Sequence, residues 1–184
     1  MHSAIFLDRD GVIIENKSDY VLSWSDVEFF PQALKALQKI SQSPFKIVII
    51  TNQSAVGRGL ITLHVAQALN RRIEQKILKH GGRVDGLFMC PHSPEQACTC
   101  RKPQPGLIFQ AAHQLDIDLS TSILVGDALT DIFAGINAGI RRTILVKTGR
   151  GSQQAALPEM DRMNEVLIYD TLLDAILKQP EFLE

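Results

Sequence analysis

Residues 4–11 read Ala4-Ile5-Phe6-Leu7-Asp8-Arg9-Asp10-Gly11, four apolar residues that stop abruptly at a pair of carboxylates. A short apolar run closed by turn residues has the pattern of a strand buried on both faces. The same pattern returns at 46–51, 84–89, 122–125, 143–146 and 166–169. Segments of helical period separate these runs. Pro31 stands where a first-turn proline is tolerated, and Leu34, Leu37 and Ile40 follow at steps of three. Thr62 can cap a helix carrying Val65, Leu69, Ile73 and Ile77, which Gly81 and Gly82 stop. Further helices fit 105–115, 130–138 and 171–177, the last opened by Thr171 and Asp174 as a capping box. The alternation predicts an α/β protein with a Rossmann-like parallel sheet and helices on both faces.

The 184 residues suit one domain spanning 1–184, and no repeat or linker divides them. A hydrophobic content of 45% against 21% charged residues excludes disorder as the main state. Nineteen basic against twenty acidic residues leave a net charge of −1, so no global field attracts nucleic acid or a membrane surface. No apolar stretch approaches the ~20 residues of a bilayer span, and no signal peptide is read. The three cysteines fall within eleven residues, which suits a metal clip better than a disulfide framework and points to a reducing cytoplasm. Nothing in the length requires more than a monomer.

In open parallel sheets, ligands bind beyond the carboxyl ends of the strands. Two irregular stretches should lie there, 14–30 with its four aromatic residues and the Cys- and Pro-rich 90–105. Asp8 and Asp10 follow the first strand, Asp127 follows the strand at 122–125, and Asp131 comes one helical turn later. Alone, each would read as a strand end or a cap. Together the four would crowd one edge, where like charges ~4 Å apart cost about 4 kcal/mol per pair at an effective dielectric of 20. All-oxygen ligands with room for phosphate favour Mg²⁺ as the compensating ion. Thr51-Asn52-Gln53-Ser54 adds hydroxyl, amide and backbone donors in a turn, and Lys102, held before Pro103, is expected off any helix face.

Cys90-x-His92 and Cys98-x-Cys100 supply three thiolates and an imidazole, the ligand set of a closed tetrahedral zinc site, and Pro91 and Pro94 favour a compact turn around them. With four protein ligands no position is open to water, so Zn²⁺ would be structural, holding a zinc-binding loop and positioning the Arg101 and Lys102 that follow. His2, His64, His80 and His113 are read as structural or solvated.

These segments, with Gly126-Asp127-Ala128-Leu129-Thr130-Asp131, resemble in order the four motifs of haloacid dehalogenase-type phosphatases. More closely they resemble the D-glycero-D-manno-heptose 1,7-bisphosphate 7-phosphatase branch, a relative of histidinol phosphatases. The resemblance runs from about Ala4 to Gly149 and includes all four zinc ligands. It implies a phosphatase acting through an aspartyl-phosphate on Asp8, with Asp10 as general acid and base. Asp8, the Asp10 carbonyl and Asp127 would hold Mg²⁺ with Asp131 in support, while Thr51 and Lys102 neutralise the phosphoryl group. Asn52, Gln53 and Ser54, Arg101, and Asn16 and Asp19 of the 14–30 flap are the expected contacts of a small sugar phosphate. Val12 and residues 14–20 depart from the family pattern, and no insertion is long enough for a large cap domain. Histidinol phosphate and a 3′-phosphorylated polynucleotide are the rival substrates, and a phospho-accepting receiver domain or a zinc-dependent binding module the rival classes.

Overall fold

The computed structural model describes residues 1–163, 165–179 and 182. Six parallel strands form one sheet in the order β3-β2-β1-β4-β5-β6, with β1 Ala4–Leu7, β2 Lys46–Asn52, β3 Gly86–Cys90, β4 Ile123–Gly126, β5 Arg142–Val146 and β6 Leu167–Tyr169. The chain builds outward from β1 to β3 and then returns to lay β4 against β1. That reversal opens a crevice between the carboxyl ends of β1 and β4. Leu7 pairs with Val125, and the Asp8 amide donates to the Val125 carbonyl at 3.0 Å. Register therefore brings Asp8, just past β1, beside the end of β4 that leads to Asp127.

Alternate residues of each strand face opposite layers. Ile5, Leu7, Ile47, Ile49, Ile123, Val125, Ile144 and Val146 pack with α1 (Pro31–Lys39), α3 (Leu63–Lys79) and α7 (Leu172–Lys178). Ala4, Phe6, Val48, Ile50 and Leu124 pack with α4 (Gly106–Leu115) and α5 (Leu129–Ala138) on the other side. The helices thus cover both faces, as the strand pattern predicts.

Differences lie at boundaries and in short elements. The run expected at 84–89 pairs only from Gly86, because the Asp85 carboxylate takes the Ile47 amide at 2.8 Å that a further ladder residue would have taken. Of the stripe expected on α3, Leu69, Ile73 and Ile77 are buried and Val65 is exposed, Ala66 facing the core in its place. Thr62 accepts the Val65 amide as the N-cap, and Thr171 accepts that of Asp174. Two short helices, α2 (Ser54–Gly57) and α6 (Gly151–Ala155), were not foreseen; four or five residues hold too little periodicity to read. No helix among the described residues is long and apolar enough to cross a membrane.

Candidate active site

Three carboxylates and one ammonium meet in the crevice. Lys102, 3% exposed, donates its Nζ to Asp8 Oδ1 at 2.7 Å and to the Ile50 carbonyl at 3.1 Å, and pairs with Asp131 Oδ1 at 2.6 Å. Burial acts to discharge this lysine, but Asp131 and Asp8 outweigh it and hold its pKa above the usual lysine range. Asp8, Asp127 and Asp131 offer oxygens within 4.8 Å of one another. One lysine cannot neutralise three acids. Burial first, then Asp131, Asp127 and Asp10, push Asp8 up to about 8 despite Lys102, and burial with Asp131 also raises Asp127.

Asp127, 0% exposed, accepts the Arg150 backbone amide at 2.8 Å and the Asn16 amide at 3.4 Å through Oδ2. Its Oδ1 is buried with no hydrogen-bond partner among the described residues. Glycines make room for this carboxylate. Gly11 (φ 94°) and Gly149 (φ 58°) lie in the left-handed region, and a Cβ on either would strike Asp127 Oδ2. An all-oxygen donor set with excess negative charge and one orphaned oxygen fits a hard divalent cation such as Mg²⁺. Asp131 is also tied into its helix, Oδ2 accepting the Ala128 amide at 3.1 Å.

Asp10 lines the same cavity but its carboxylate is held apart from the other three. Oδ2 accepts from Arg9 Nε at 2.9 Å, Gln53 Nε2 at 3.0 Å and Thr51 Oγ1 at 3.2 Å, while Oδ1 accepts from Arg9 Nη2 at 2.9 Å. Thr51 is wholly buried with its hydroxyl on Asp10, and does not line the cavity. The Thr51 hydroxyl, expected to meet phosphoryl oxygens, donates in this structure to the Asp10 carboxylate beside it. Gln53 does line the cavity, yet its amide serves Asp10 and Thr51.

The cavity of about 410 Å³ is walled by Asp8, Asp10, Asn52, Ser54, Arg101 and Lys102 on one side and by the flap on the other. Asn52 clasps Lys102 by two backbone hydrogen bonds of 3.1 Å, so the turn after β2 positions the lysine loop. Lys102 lies off any helix, in a turn rather than the extended segment that a residue before proline favours. Arg101 Nη1 donates to Ser54 Oγ at 2.7 Å and to the His92 carbonyl at 3.2 Å. From the flap come Asn16, Lys17, Ser18, Tyr20 and Val21. Asp19, expected among the substrate contacts, is exposed like its neighbours Ser18 and Tyr20; those two line the cavity, whereas Asp19 accepts the Ser18 hydroxyl at 3.4 Å. Trp24, Phe29 and Phe30 pack on the core, and Arg72 of α3 stacks 4.3 Å above the Trp24 ring.

Cys90, His92, Cys98 and Cys100 gather beside this wall. Their ligand atoms all lie within 4.8 Å of one another, with Cys100 3.1 Å from Cys90 and Cys90 3.6 Å from His92 Nδ1. A tetrahedron with Zn–S bonds of about 2.3 Å has edges of about 3.7 Å, so these residues fit Zn²⁺. Burial pushes the Cys90 and Cys100 thiols up, whereas sulfur hydrogen bonds outweigh burial at Cys98 and lower it to about 7. Sequence reasoning missed Arg9, to which it gave no role, and the Gly149-Arg150 pair. A glycine just beyond a strand end was the available signal for the latter.

Three expectations follow for the acidic cluster. Asp8 binds its proton more tightly in the folded than in the unfolded chain, so metal-free protein loses stability as pH rises from the ordinary carboxylate range toward about 8. Mg²⁺ must displace that proton, so its affinity by calorimetry rises between pH 6 and 8; a flat profile would contradict the assignment. In Gly149→Ala the new methyl displaces Asp127, and Mg²⁺ affinity falls about 10- to 100-fold, as when a ligand loses its support.

Comparison with known proteins places the chain. A HAD-hydrolase-like family model matches residues 99–175. The D-glycero-β-D-manno-heptose-1,7-bisphosphate 7-phosphatase of Bordetella bronchiseptica is 38% identical over 89% of this chain and 92% of that protein. The α-anomer counterpart from Photorhabdus laumondii subsp. laumondii is 39% identical over 81% of this chain and 85% of its own length. Among solved structures, the D,D-heptose 1,7-bisphosphate phosphatase of B. bronchiseptica with magnesium and phosphate superposes with a TM-score of 0.87 at 33% identity, covering 96% of this chain and 97% of that one. With its motifs in order along a sheet of the same architecture, this chain belongs to the haloacid dehalogenase-like hydrolases, on the branch that contains the heptose-1,7-bisphosphate 7-phosphatases.

Proposed function

We propose that the protein is a Mg²⁺-dependent phosphatase that hydrolyses the 7-phosphate of D-glycero-D-manno-heptose 1,7-bisphosphate through an aspartyl-phosphate. The observation that carries this is the buried Asp8–Lys102–Asp131 arrangement with Asp127 at the β1/β4 crevice, open to a cavity lined by further cations. Relatives named for this activity at 38% and 39% identity support the substrate; since they are named for different anomers, no anomer is selected.

Asp8 Oδ attacks phosphorus as the ester P–O bond breaks, and Asp10 gives its proton to the departing alkoxide. Water then attacks the phosphorus of the aspartyl-phosphate, Asp10 takes back a proton, and inorganic phosphate leaves. Lys102, already 2.7 Å from Asp8, neutralises charge on the transferring group without reorganisation. Asp8, Asp127 and the Asp10 carbonyl, with Asp131 in support, would hold Mg²⁺, which when bound would supply Lewis-acid stabilisation of the phosphoryl oxygens. Thr51 and Gln53 hold Asp10, and Asn52 holds Lys102. Arg101, with Arg58 and Lys17 also on the cavity wall, suits the second phosphate, since a guanidinium meets phosphate with two parallel donors. The flap in place of a large cap suits a small substrate.

Zinc has a positioning role in this scheme. The His92 carbonyl holds Arg101, and Cys100 stands two residues before Lys102. Structural zinc contributes an apparent ~10–16 kcal/mol, enough to fix roughly ten loop residues at ~1–2 kcal/mol each. In the same reading the whole machinery lies in one domain that works as a monomer in a reducing cytoplasm, with neither nucleic acid nor membrane as partner; the net charge of −1 and the clustered thiols support this.

A phosphate-release screen with Mg²⁺ tests the substrate, using both heptose 1,7-bisphosphate anomers, fructose 1,6-bisphosphate, histidinol phosphate and a 3′-phosphorylated oligonucleotide. A heptose bisphosphate is turned over fastest, and Asp8→Asn abolishes release; a flat profile overturns the sugar assignment, and an active Asp8→Asn overturns the nucleophile. Cys98→Ala lowers zinc content by elemental analysis and turnover by at least about tenfold, as expected for lost positioning of catalytic groups. Full zinc and normal turnover would remove the clip from the mechanism.

A further inference from the structure

The first acid of the pair is followed by an arginine that the mechanism so far leaves idle. Arg9 is 1% exposed, and its three side-chain nitrogens all have acceptors. Nε and Nη2 form a fork on the two oxygens of Asp10, each at 2.9 Å, and Nη1 donates to Asn70 Oδ1 at 2.6 Å. Asn70 lies on the buried face of α3 beside Leu69 and Ile73, 4% exposed, and its Nδ2 donates to Met89 Sδ at 3.4 Å. A polar residue on that face has no packing reason to be there. A buried guanidinium does need a third acceptor, and an apolar residue at 70 would leave Nη1 unsatisfied.

We infer that Arg9 and Asn70 are positioning residues for the general acid: Asn70 anchors the guanidinium, and the two-pronged pair with Arg9 fixes the plane of the Asp10 carboxylate toward the leaving oxygen. The inference rests on the acid/base role proposed for Asp10. The physical basis is that a fork fixes the rotation of a carboxylate, which a single hydrogen bond leaves free. Thr51 and Gln53 reach only Oδ2, so Arg9 is the donor that ties both oxygens. Asn70 comes from α3, so the orientation of the acid is set from the helix layer as well as from the sheet edge.

The readout is kcat/KM, which reports the step that expels the leaving group, for an alkyl sugar phosphate and for p-nitrophenyl phosphate, whose phenolate leaves without protonation. Asn70→Leu lowers the alkyl value about tenfold, part of the ~10²- to 10⁴-fold that acid–base help supplies, and the aryl value less than about threefold. Asn70→Asp, which keeps an acceptor for Nη1, restores the alkyl value to within about threefold of the parent. Thermal unfolding and Mg²⁺ titration establish that each variant is folded with its metal site intact. Should Asn70→Leu fail to fold, Arg9→Lys, which keeps the charge without the fork, gives the same selective loss. Equal losses on both substrates, or no loss, overturn the positioning role. Asp10→Asn separates this from failure of the underlying assignment: if it too shows no leaving-group selectivity, the acid role of Asp10 falls; if it does and Asn70→Leu does not, only the positioning role falls.

Discussion

Three buried carboxylates placed against one lysine make a cluster that ordinary solvation would forbid. Asp8, Asp127 and Asp131 come together because parallel register aligns the ends of β1 and β4 and because α5 returns Asp131 to the same crevice. Their mutual repulsion, and burial, are written in the raised proton affinities of Asp8 and Asp127. Lys102 offsets part of that charge from a different loop. What remains is an unbalanced, pre-formed oxygen site, and the surrounding structure serves to hold it in that state.

The supports come from every layer. Glycines 11 and 149 surrender their side chains to the space that Asp127 needs. Asn52 grips the backbone of Lys102, and the four residues that could hold a zinc ion lie on the segment leading to it. Arg101 is fixed between Ser54 of α2 and the carbonyl of His92, so the two loops after β2 and β3 share one polar seam along the cavity. Asp10 is treated differently from its neighbours: held by Arg9, Thr51 and Gln53, its carboxylate is kept out of the cluster, as the acid and base role proposed for it asks. Two acids two residues apart thereby meet different surroundings, which is how residues of one type divide two roles.

Much of this was legible beforehand, and the exceptions have definite causes. Strand cores were readable because parallel strands covered on both faces are continuously apolar. The start of β3 was not, since Asp85 replaces a ladder partner with its own side chain. The surroundings of Thr51 and Asp19 were not legible either: both are polar residues near the mouth, but one is buried against Asp10 and the other is exposed on the flap. Arg9 was passed over because a basic residue in a turn is ordinarily solvated, and its burial depends on an asparagine sixty-one residues away.

From the order of residues alone came the parallel α/β class, the strand ends at which acids emerge, the thiol and imidazole set of the clip, and the family to which these motifs belong. Those are local properties, set by hydrophobic period, by turn chemistry and by the donor atoms a residue carries. The partners of each functional side chain were decided only in three dimensions: that Lys102 stands between Asp8 and Asp131, that Thr51 serves Asp10, that Gly149 cradles Asp127, and that Asn70 steadies Arg9. Such pairings join segments from separate strands and helices, and they exist because close packing and register, not proximity along the chain, determine which polar groups must satisfy one another.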